Sequence, residues 1–445
     1  MIRACVADEV SSSARLLGEH RGAREGPTLV AVGGIHGNEP AGLLAAERVL
    51  ELLDRDDGLR CGRVVALRGN LRALGLRGAL HGPRSRYVDH DLNRLFVEGD
   101  GPTTSAETVE RDELRACLAV ILGEDGGEGG GGRGHPGVVL DLHTVSSPCV
   151  PFIAMEDSLP TRRFAMGFGL PKVLGIEEVI PGLLMDEATA RHGSIALTVE
   201  GGVHTDPASV ETLEAVLWRS LELLGMLSPT EAERARRADR FLRDAAGVRR
   251  GRVYDVRYRA GVRDVSFRAE DGIEALAKVR AGRSVLATEL GQPVLAGESG
   301  LLFMLNRQPD PRPGDDAYFI VRRVGRAWLG LSALLRRPRW MHGLLAWALP
   351  GVRRHPEEPG ALVVDPRVAA VLKREVFHVF GYRLVRFDVK PGPRAVGRLM
   401  AGVKIVLSRA LGGRRSRERA HGDDAWVVRR RRLDDAAPAP EGGGA

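Results

Sequence analysis

Short apolar runs alternate with longer amphipathic stretches along the first half of the chain. The apolar runs are rich in Val, Leu, Ile and Ala and end in glycine or polar residues, which is typical of buried strands in a parallel sheet. The stretches between them repeat apolar positions at helical spacing. The pattern predicts strands at 28–34, 61–70, 137–143 and 194–202, and helices at 41–54, 105–122 and 206–225. We therefore expect an α/β fold with crossover helices.

The pattern changes after a polar helix predicted at 228–247. Apolar and polar positions then alternate, and Gly or Pro interrupts them at roughly 8–12-residue intervals, which is typical of a small all-β domain. A stretch with a helical pattern follows at 326–351, and Pro338 breaks it. The predicted domains are an α/β unit at 1–247, a small β domain at 248–324, a partly helical extension at 325–410 and a disordered basic tail at 411–445.

Composition agrees with a folded chain of several units. The 445 residues are 43% hydrophobic and 28% charged, close to the averages of soluble globular proteins. No apolar stretch follows a basic start, and no run reaches the roughly 20 apolar residues of a spanning helix. The four cysteines form no CxxC pair, so we expect reduced thiols and a cytoplasmic protein.

Positive charge is concentrated late in the chain. The net charge is +7, and basic runs lie at 412–419 and 427–433. Such runs attract nucleic acid or anionic membranes. Because they lie beyond the segments with candidate chemistry, we expect no specific nucleic-acid partner, and peripheral membrane contact by the C-terminus is kept as an alternative. The sequence does not indicate an oligomeric state.

Residues suited to metal binding follow two of the predicted strands. His36 and Glu39 lie three residues apart where a strand gives way to a helix, and His143 ends another apolar run. Open α/β sheets bind ligands at the carboxyl ends of their strands, so these side chains can converge. Two histidines and a carboxylate with an open fourth position are typical of a catalytic zinc site. Taken alone, the HxxE spacing is weak, and a capping Glu beside a loop His is its other interpretation.

Two carboxylates on the apolar strands have candidate roles around this metal. Asp141 lies two residues before His143, where it either orients that imidazole or is an ordinary strand-end aspartate. Glu200 ends a third strand and can act as general base toward a water molecule. A capping or ion-paired Glu is the other interpretation of Glu200, and the predicted zinc ligands favour the base.

A dense polar cluster occupies SRYVDHDLNRLF at 85–96. Arginine binds carboxylates through two parallel hydrogen bonds, so Arg86 and Arg94 are candidates to hold an acidic substrate or an oxyanion. Asp91 is a candidate partner for Arg94 or for a histidine. The alternative is a surface turn held by ion pairs.

The motifs GGxHGNE, RYxDxDLNR, DLH and VEGG, in this order, resemble the succinylglutamate desuccinylase and aspartoacylase family, which is related to zinc carboxypeptidases of the M14 type. The resemblance covers roughly residues 28–325. It implies a zinc carboxypeptidase-like mixed sheet with flanking helices, followed by a small all-β domain. The basic C-terminal extension after 325 exceeds the family pattern.

The resemblance also implies roles for individual residues. One zinc ion per chain would be held by His36, Glu39 and His143, with Glu200 as the catalytic carboxylate. Arg86 would bind substrate and polarise the scissile carbonyl. The further substrate-binding residues implied are Asn93, Arg94 and Arg191.

Two family tyrosines fall at Glu187 and Phe303, which lack the hydroxyl, so the acyl group and the amino acid of the substrate stay open. The expected partner is a small N-acyl amino acid, and the expected reaction is metal-dependent hydrolysis of its amide, a carbon–nitrogen bond other than a peptide bond. One alternative is a zinc carboxypeptidase acting on peptides. Another is a degenerate scaffold that binds anionic surfaces through its basic C-terminus.

Overall fold

The computed structural model describes residues 14–56, 58–76, 85–97, 104–123, 137–336, 352–355, 361–364, 374–385 and 426–430. The chain divides by its internal contacts into two units, and the boundary lies between Val324 and Gly325. Parts of the predicted extension and tail, including 337–350 and 431–445, lie outside the described residues.

The first unit contains strands β1 to β14. They are β1 (Leu16–Arg21), β2 (Thr28–Gly33), β3 (Arg63–Arg68), β4 (Val138–Val145), β5 (Phe152–Met155), β6 (Lys172–Leu174), β7 (Ile195–Val203), β8 (Val253–Gly261), β9 (Arg268–Ala269), β10 (Lys278–Val279), β11 (Val285–Glu289), β12 (Gln292–Leu295), β13 (Gly300–Phe303) and β14 (Asp316–Val324).

Eleven of these strands form one mixed sheet in the order β1-β3-β2-β4-β7-β5-β6-β8-β14-β13-β10. The neighbours β3, β2, β4 and β7 are parallel, whereas β1 and β5 pair antiparallel with β3 and β7. Every residue of β2 and β4 is buried, as their uninterrupted apolar sequences predict. The predicted α/β class is confirmed as a large mixed sheet with helices.

Six helices of the first unit follow the predicted helical periodicity or lie in the connections between strands. They are α1 (Ala41–Asp56), α2 (Ala106–Leu122), α3 (Leu159–Met166), α4 (Leu184–His192), α5 (Ala208–Leu223) and α6 (Ala232–Ala246). α1 buries Ala45, Val49 and Leu53, which share one face at helical spacing. α2 begins with a capping box in which Ser105 and Thr108 bond each other's backbone amides.

The predicted β domain at 248–324 is joined to the α/β unit by strand pairing. β8 pairs in parallel with β6 and antiparallel with β14, so the large sheet continues into this segment. A separate antiparallel sheet has the order β12-β11-β9. Along β14, Phe319 and Val321 face the main core, while Tyr318 and Ile320 face a second one. The β-rich pattern is therefore observed, and the boundary at 247/248 stays a prediction.

The second unit, beginning at Gly325, contains helices α7 (Arg326–Arg336) and α8 (Arg374–Val379) and strands β15 (Val352–Arg354), β16 (Ala361–Val364), β17 (Tyr382–Val385) and β18 (Trp426–Arg430). The strands form an antiparallel sheet in the order β15-β16-β18-β17. β18 differs from the disordered tail predicted at 411–445, because this segment pairs on both sides, with β16 and β17. Within the described residues, no helix is long and apolar enough to cross a bilayer.

Candidate active site

The carboxyl ends of three parallel strands meet at one edge of the large sheet. On β4 and β7, His143 and Glu200 are register partners, so their backbones are neighbours across the sheet. β2 lies on the other side of β4 and leads into His36 and Glu39 before α1. The sheet thus brings the predicted metal ligands together with the predicted catalytic carboxylate.

Two glycines allow the turn between β2 and α1. Gly34 adopts a φ of 70°, which strains residues with a side chain. A Cβ at Gly37 would lie 2.1 Å from the carbonyl oxygen of Ala73, so a larger residue would displace the backbone. These positions let His36 and Glu39 face the end of β4.

The candidate metal-ligand cluster consists of His36, Glu39 and His143. Nδ1 of His36 lies 2.9 Å from Oε1 of Glu39, and Nδ1 of His143 lies 3.1 Å from Oε2. Potential ligand atoms of the three residues lie within 4.8 Å of one another. The three residues are 4%, 2% and 3% exposed, so water does not screen their charges.

The outer nitrogens of both histidines are held by aspartates. Nε2 of His36 lies 3.0 Å from Oδ1 of Asp91, and Nε2 of His143 lies 2.8 Å from Oδ1 of Asp141. An ionised carboxylate only accepts hydrogen bonds, so each Nε2 carries a proton, and each Nδ1 would present its lone pair to a cation bound beside Glu39. Metal-binding histidines commonly donate their other N–H to a carboxylate in this way. The donor set therefore fits a divalent cation between the two Nδ1 atoms and Glu39.

The ionisation of the cluster follows from this pairing. Burial favours the neutral form of His143, but Asp141 and Glu39 outweigh it and raise the pKa of His143 well above its usual value. Burial also opposes ionisation of Glu39, yet His36 and His143 hold the pKa of Glu39 well below its usual value. The site thus favours negative charge on Glu39 and positive charge beside it.

Arg86 and Arg94 lie beside the cluster and line the same cavity. Arg86 donates to Oε1 of Glu39 at 3.2 Å and to Oδ2 of Asp91 at 3.0 Å. Arg94 donates to Oδ2 of Asp316 at 2.7 Å and lies 3.8 Å from Asp91. Asp91 therefore contacts a histidine and both arginines, which agrees with its predicted role as their partner.

Asn93 is not among the residues that line the cavity, and its predicted role in substrate binding stays a prediction. Asp91 caps the 3-10 turn Leu92–Arg94, and Asn93 within that turn is buried. Its amide nitrogen donates to Oδ2 of Asp141 at 3.0 Å, and its oxygen accepts from the backbone N–H of Leu184 at 2.7 Å. The side chain of Asn93 thus holds Asp141 in place behind His143.

Arg191 also lies away from the cavity. It is half-exposed on α4, and its Nε lies 2.8 Å from Oε1 of Glu187, one helical turn earlier. Glu187 is buried and binds Arg115 as well. Helical spacing places Arg191 next to Glu187, Arg191 is not among the residues that line the cavity, and its predicted role in substrate binding stays a prediction. Phe303 packs against Phe152 with ring centroids 4.7 Å apart.

Glu200 lines the cavity and has spare hydrogen-bonding capacity. It is 7% exposed, and its Oε2 has no hydrogen-bond partner among the described residues. Burial raises the pKa of Glu200 to about 8, with His143 opposing this shift and Glu39 adding to it. A buried carboxylate with a free oxygen beside candidate metal ligands has the features of a proton acceptor.

The cavity has a volume of about 630 Å³, which suits a small-molecule ligand. Its lining contains residues that sequence reasoning missed, among them His204, Asn306 and Arg312. His204 follows the VEGG motif just past the end of β7, so the sequence alone could have identified it as a candidate site residue. Arg312 lies in the loop between β13 and β14, and no motif marked it.

The fold and the site define an α/β protein with a candidate single-metal centre at the carboxyl ends of its parallel strands. Residues 25–221 match the family model described as the succinylglutamate desuccinylase/aspartoacylase catalytic domain. The match covers less than half of the chain, and it agrees with the family resemblance of the four motifs.

Two curated relatives match parts of the chain. A succinylglutamate desuccinylase of Ectopseudomonas mendocina is 31% identical over 119 residues, which are 27% of this chain and 31% of that protein. An N-alpha-acetyl-L-2,4-diaminobutyric acid deacetylase of Halomonas elongata is 28% identical over 201 residues, 43% of this chain and 52% of that protein. The matches thus span about a third and about half of the relatives' lengths.

Solved structures show weaker likeness. A succinylglutamate desuccinylase structure from Vibrio parahaemolyticus is 14% identical, with a TM-score of 0.48, over 72% of this chain and 95% of that one. A product-bound ectoine utilization protein from Ruegeria pomeroyi is 19% identical, with a TM-score of 0.45, over 68% and 87%. The fold of this chain is defined by its own strand order and pairing.

Proposed function

We propose that this protein is a zinc-dependent hydrolase that cleaves the amide bond of an N-acyl amino acid or a related small carboxylate. The observation that carries the proposal is the buried cluster of His36, Glu39 and His143, with Glu200 beside it on the next strand. The family match supports it, as do curated relatives named as a desuccinylase and a deacetylase.

One zinc ion per chain is the cofactor we propose. Catalytic zinc is commonly held by three protein ligands, such as two imidazole nitrogens and one carboxylate. Its fourth position stays open to water or substrate. Bound zinc would lower the pKa of a water molecule and polarise a carbonyl group. His36, Glu39 and His143 would hold it, and Asp91 and Asp141 would fix the two imidazoles through Nε2.

Glu200 would move the protons of the reaction. Its free Oε2 is placed to take a proton from the attacking water and to deliver it to the departing nitrogen. Both transfers require a carboxylate oxygen that no other group already engages, and Oε2 of Glu200 has no hydrogen-bond partner among the described residues. This requirement distinguishes Glu200 from Glu39, which both histidines and Arg86 contact.

Arg86 and Arg94 would bind the substrate. Two carboxylates anchor the guanidinium of Arg86, which leaves further N–H groups for the carbonyl oxygen as it gains negative charge. Arg94 lines the same wall and can offer the donors that Asp316 does not use.

Amine release from a substrate panel tests the proposal. Purified full-length protein would be given one equivalent of zinc and assayed with N-acetyl and N-succinyl amino acids, and with short peptides. We expect amine release from acyl amino acids that a chelator abolishes and added zinc restores. Release from peptides alone would favour a carboxypeptidase, and zinc-independent release would refute the proposal.

A further inference from the structure

A third arginine of the cavity is not held by an acidic side chain. Arg86, Arg94 and Arg312 line the cavity. Glu39 and Asp91 engage Arg86, and Asp316 engages Arg94. In the described part of the chain, the guanidinium of Arg312 forms no ion pair, and its polar contact is with the carbonyl oxygen of Val88 at 3.5 Å. Its donors are therefore available to a ligand.

The position of Arg312 is nevertheless fixed. Its guanidinium carbon lies 4.6 Å from the ring centroid of Tyr87, a buried residue. Asp315 joins the two residues, because Oδ1 accepts from the Tyr87 hydroxyl at 3.1 Å and Oδ2 accepts from the backbone N–H of Arg312 at 2.8 Å. Stacking and hydrogen bonding thus hold the arginine before a ligand arrives, which reduces the entropy lost on binding.

The guanidinium of Arg312 is suited to an anion with two acceptor oxygens. A guanidinium offers parallel N–H donors that match a carboxylate, and Asp315 directs its oxygens to Tyr87 and to the backbone instead. Arg191, which the sequence suggested for such a contact, is bound to Glu187 on α4. Among the described residues that line the cavity, Arg312 is the arginine whose guanidinium forms no ion pair.

We propose that Arg312 binds the free carboxylate on the amino-acid part of the substrate and so determines specificity. This inference rests on the proposed amide hydrolysis and narrows its substrate class. The substrate is an N-acyl amino acid with an ionised carboxylate, and the corresponding carboxamide is a poor substrate.

Paired substrates test the role of Arg312. The parent, Arg312→Ala, Arg312→Lys and Arg323→Ala would be assayed with the best acyl amino acid of the panel and with its carboxamide. Arg323 is an exposed arginine on β14 outside the cavity lining, so its variant is a matched control. We expect Arg312→Ala to raise KM for the acid about tenfold, with kcat and the carboxamide KM little changed, because one charge-assisted contact is lost. Lysine should restore part of the loss.

The outcomes separate this inference from the proposed function. An active parent whose KM for the acid is unchanged by Arg312→Ala overturns the inference and leaves the hydrolase proposal standing. If the parent hydrolyses no substrate, calorimetric binding of N-acetyl-L-alanine and N-acetyl-L-alaninamide provides the same comparison. Acid-selective binding that Arg312→Ala abolishes would then support the inference while the hydrolase proposal fails, and equal binding of both ligands would refute it.

Discussion

The metal-ligand cluster and the loop that carries Arg312 are built in different ways. The cluster of His36, Glu39 and His143 lies at strand ends, is almost fully buried, and has carboxylate partners behind both imidazoles. Arg312 is exposed and lies in a loop, where one aromatic ring and Asp315 hold it. A sheet edge can thus fix the reacting groups while a loop sets which ligands fit, and the loop can change without disturbing the cluster.

The difference has an energetic basis. Removing one member of a buried charged network leaves its partners uncompensated in a low dielectric, which is costly. An exposed arginine leaves no such penalty, because water replaces its contacts. We therefore expect large effects from substitutions at the cluster and moderate ones from substitutions at the loop.

The largest effect is expected for Glu200→Gln. The amide keeps the size of the side chain but cannot accept the proton, so kcat should fall by about 10²- to 10⁴-fold. Zinc content should stay that of the parent, because Glu200 is not among the proposed ligands. Glu298→Gln, at a half-buried glutamate paired with Arg322, is the control for replacing a carboxylate. Parent-like turnover by Glu200→Gln would disprove the assigned role.

A smaller effect is expected for Asp141→Asn, which alters the support of His143. Oδ1 of Asp141 lies 2.8 Å from Nε2 of His143, and Oδ2 accepts from Asn93, so loss of this carboxylate should weaken zinc binding about 10- to 100-fold in competition with a chelator. Thr198→Val is the matched control, since Thr198 is the register partner of Asp141 on β7. Equal zinc affinities of the two variants would show that Asp141 does not support the metal site.

The smallest effect is expected for Tyr87→Phe, which loosens the loop and spares the cluster. The ring remains beneath Arg312, but the hydrogen bond to Asp315 is lost. The loss of one hydrogen bond of this kind should raise KM for the acid about two- to fivefold. Tyr258→Phe, which removes a hydroxyl near Tyr318 in the second core, is the control. A change in zinc content in Tyr87→Phe would show that loop and cluster are not independent.

The sequence predicted the cluster because strand ends obey simple rules. Uninterrupted apolar runs identify β2, β4 and β7, and parallel neighbours place their carboxyl ends together. A polar residue at such an end therefore has a predictable location, as His143 and Glu200 show. The Gly-rich turn before Glu39 added a second local signal.

The sequence could not predict side-chain direction outside regular strands. Asn93 lies in a 3-10 turn, and its inward orientation depends on distant partners, Asp141 and the amide of Leu184. The family resemblance implied a substrate contact for Arg191. In the structure Arg191 forms an ion pair with Glu187, one helical turn earlier on α4. Arg312 is far from every motif in sequence and reaches the cavity through the pairing of β13 with β14. These contacts arise from tertiary packing.

In the second unit, the sequence predicted the helices but not the strand β18. The sequence predicted a partly helical extension, and α7 and α8 agree with that, but β18 pairs within a segment that its basic composition suggested was disordered. The prediction of disorder followed from the basic charge of this segment. The apolar residues Trp426, Val427 and Val428 within it favour a strand. The alternative of anionic-surface binding by the C-terminal region stays a prediction.

The most direct test of the central claim is zinc stoichiometry in full-length protein measured by elemental analysis. The parent would be compared with His36→Ala, Glu39→Gln and His143→Ala, and with His90→Ala, whose exposed histidine lines the same cavity outside the cluster. We predict one zinc per chain in the parent and in His90→Ala, and none in the three cluster variants. A parent that binds no zinc, or a folded cluster variant that keeps one zinc per chain, would contradict the account.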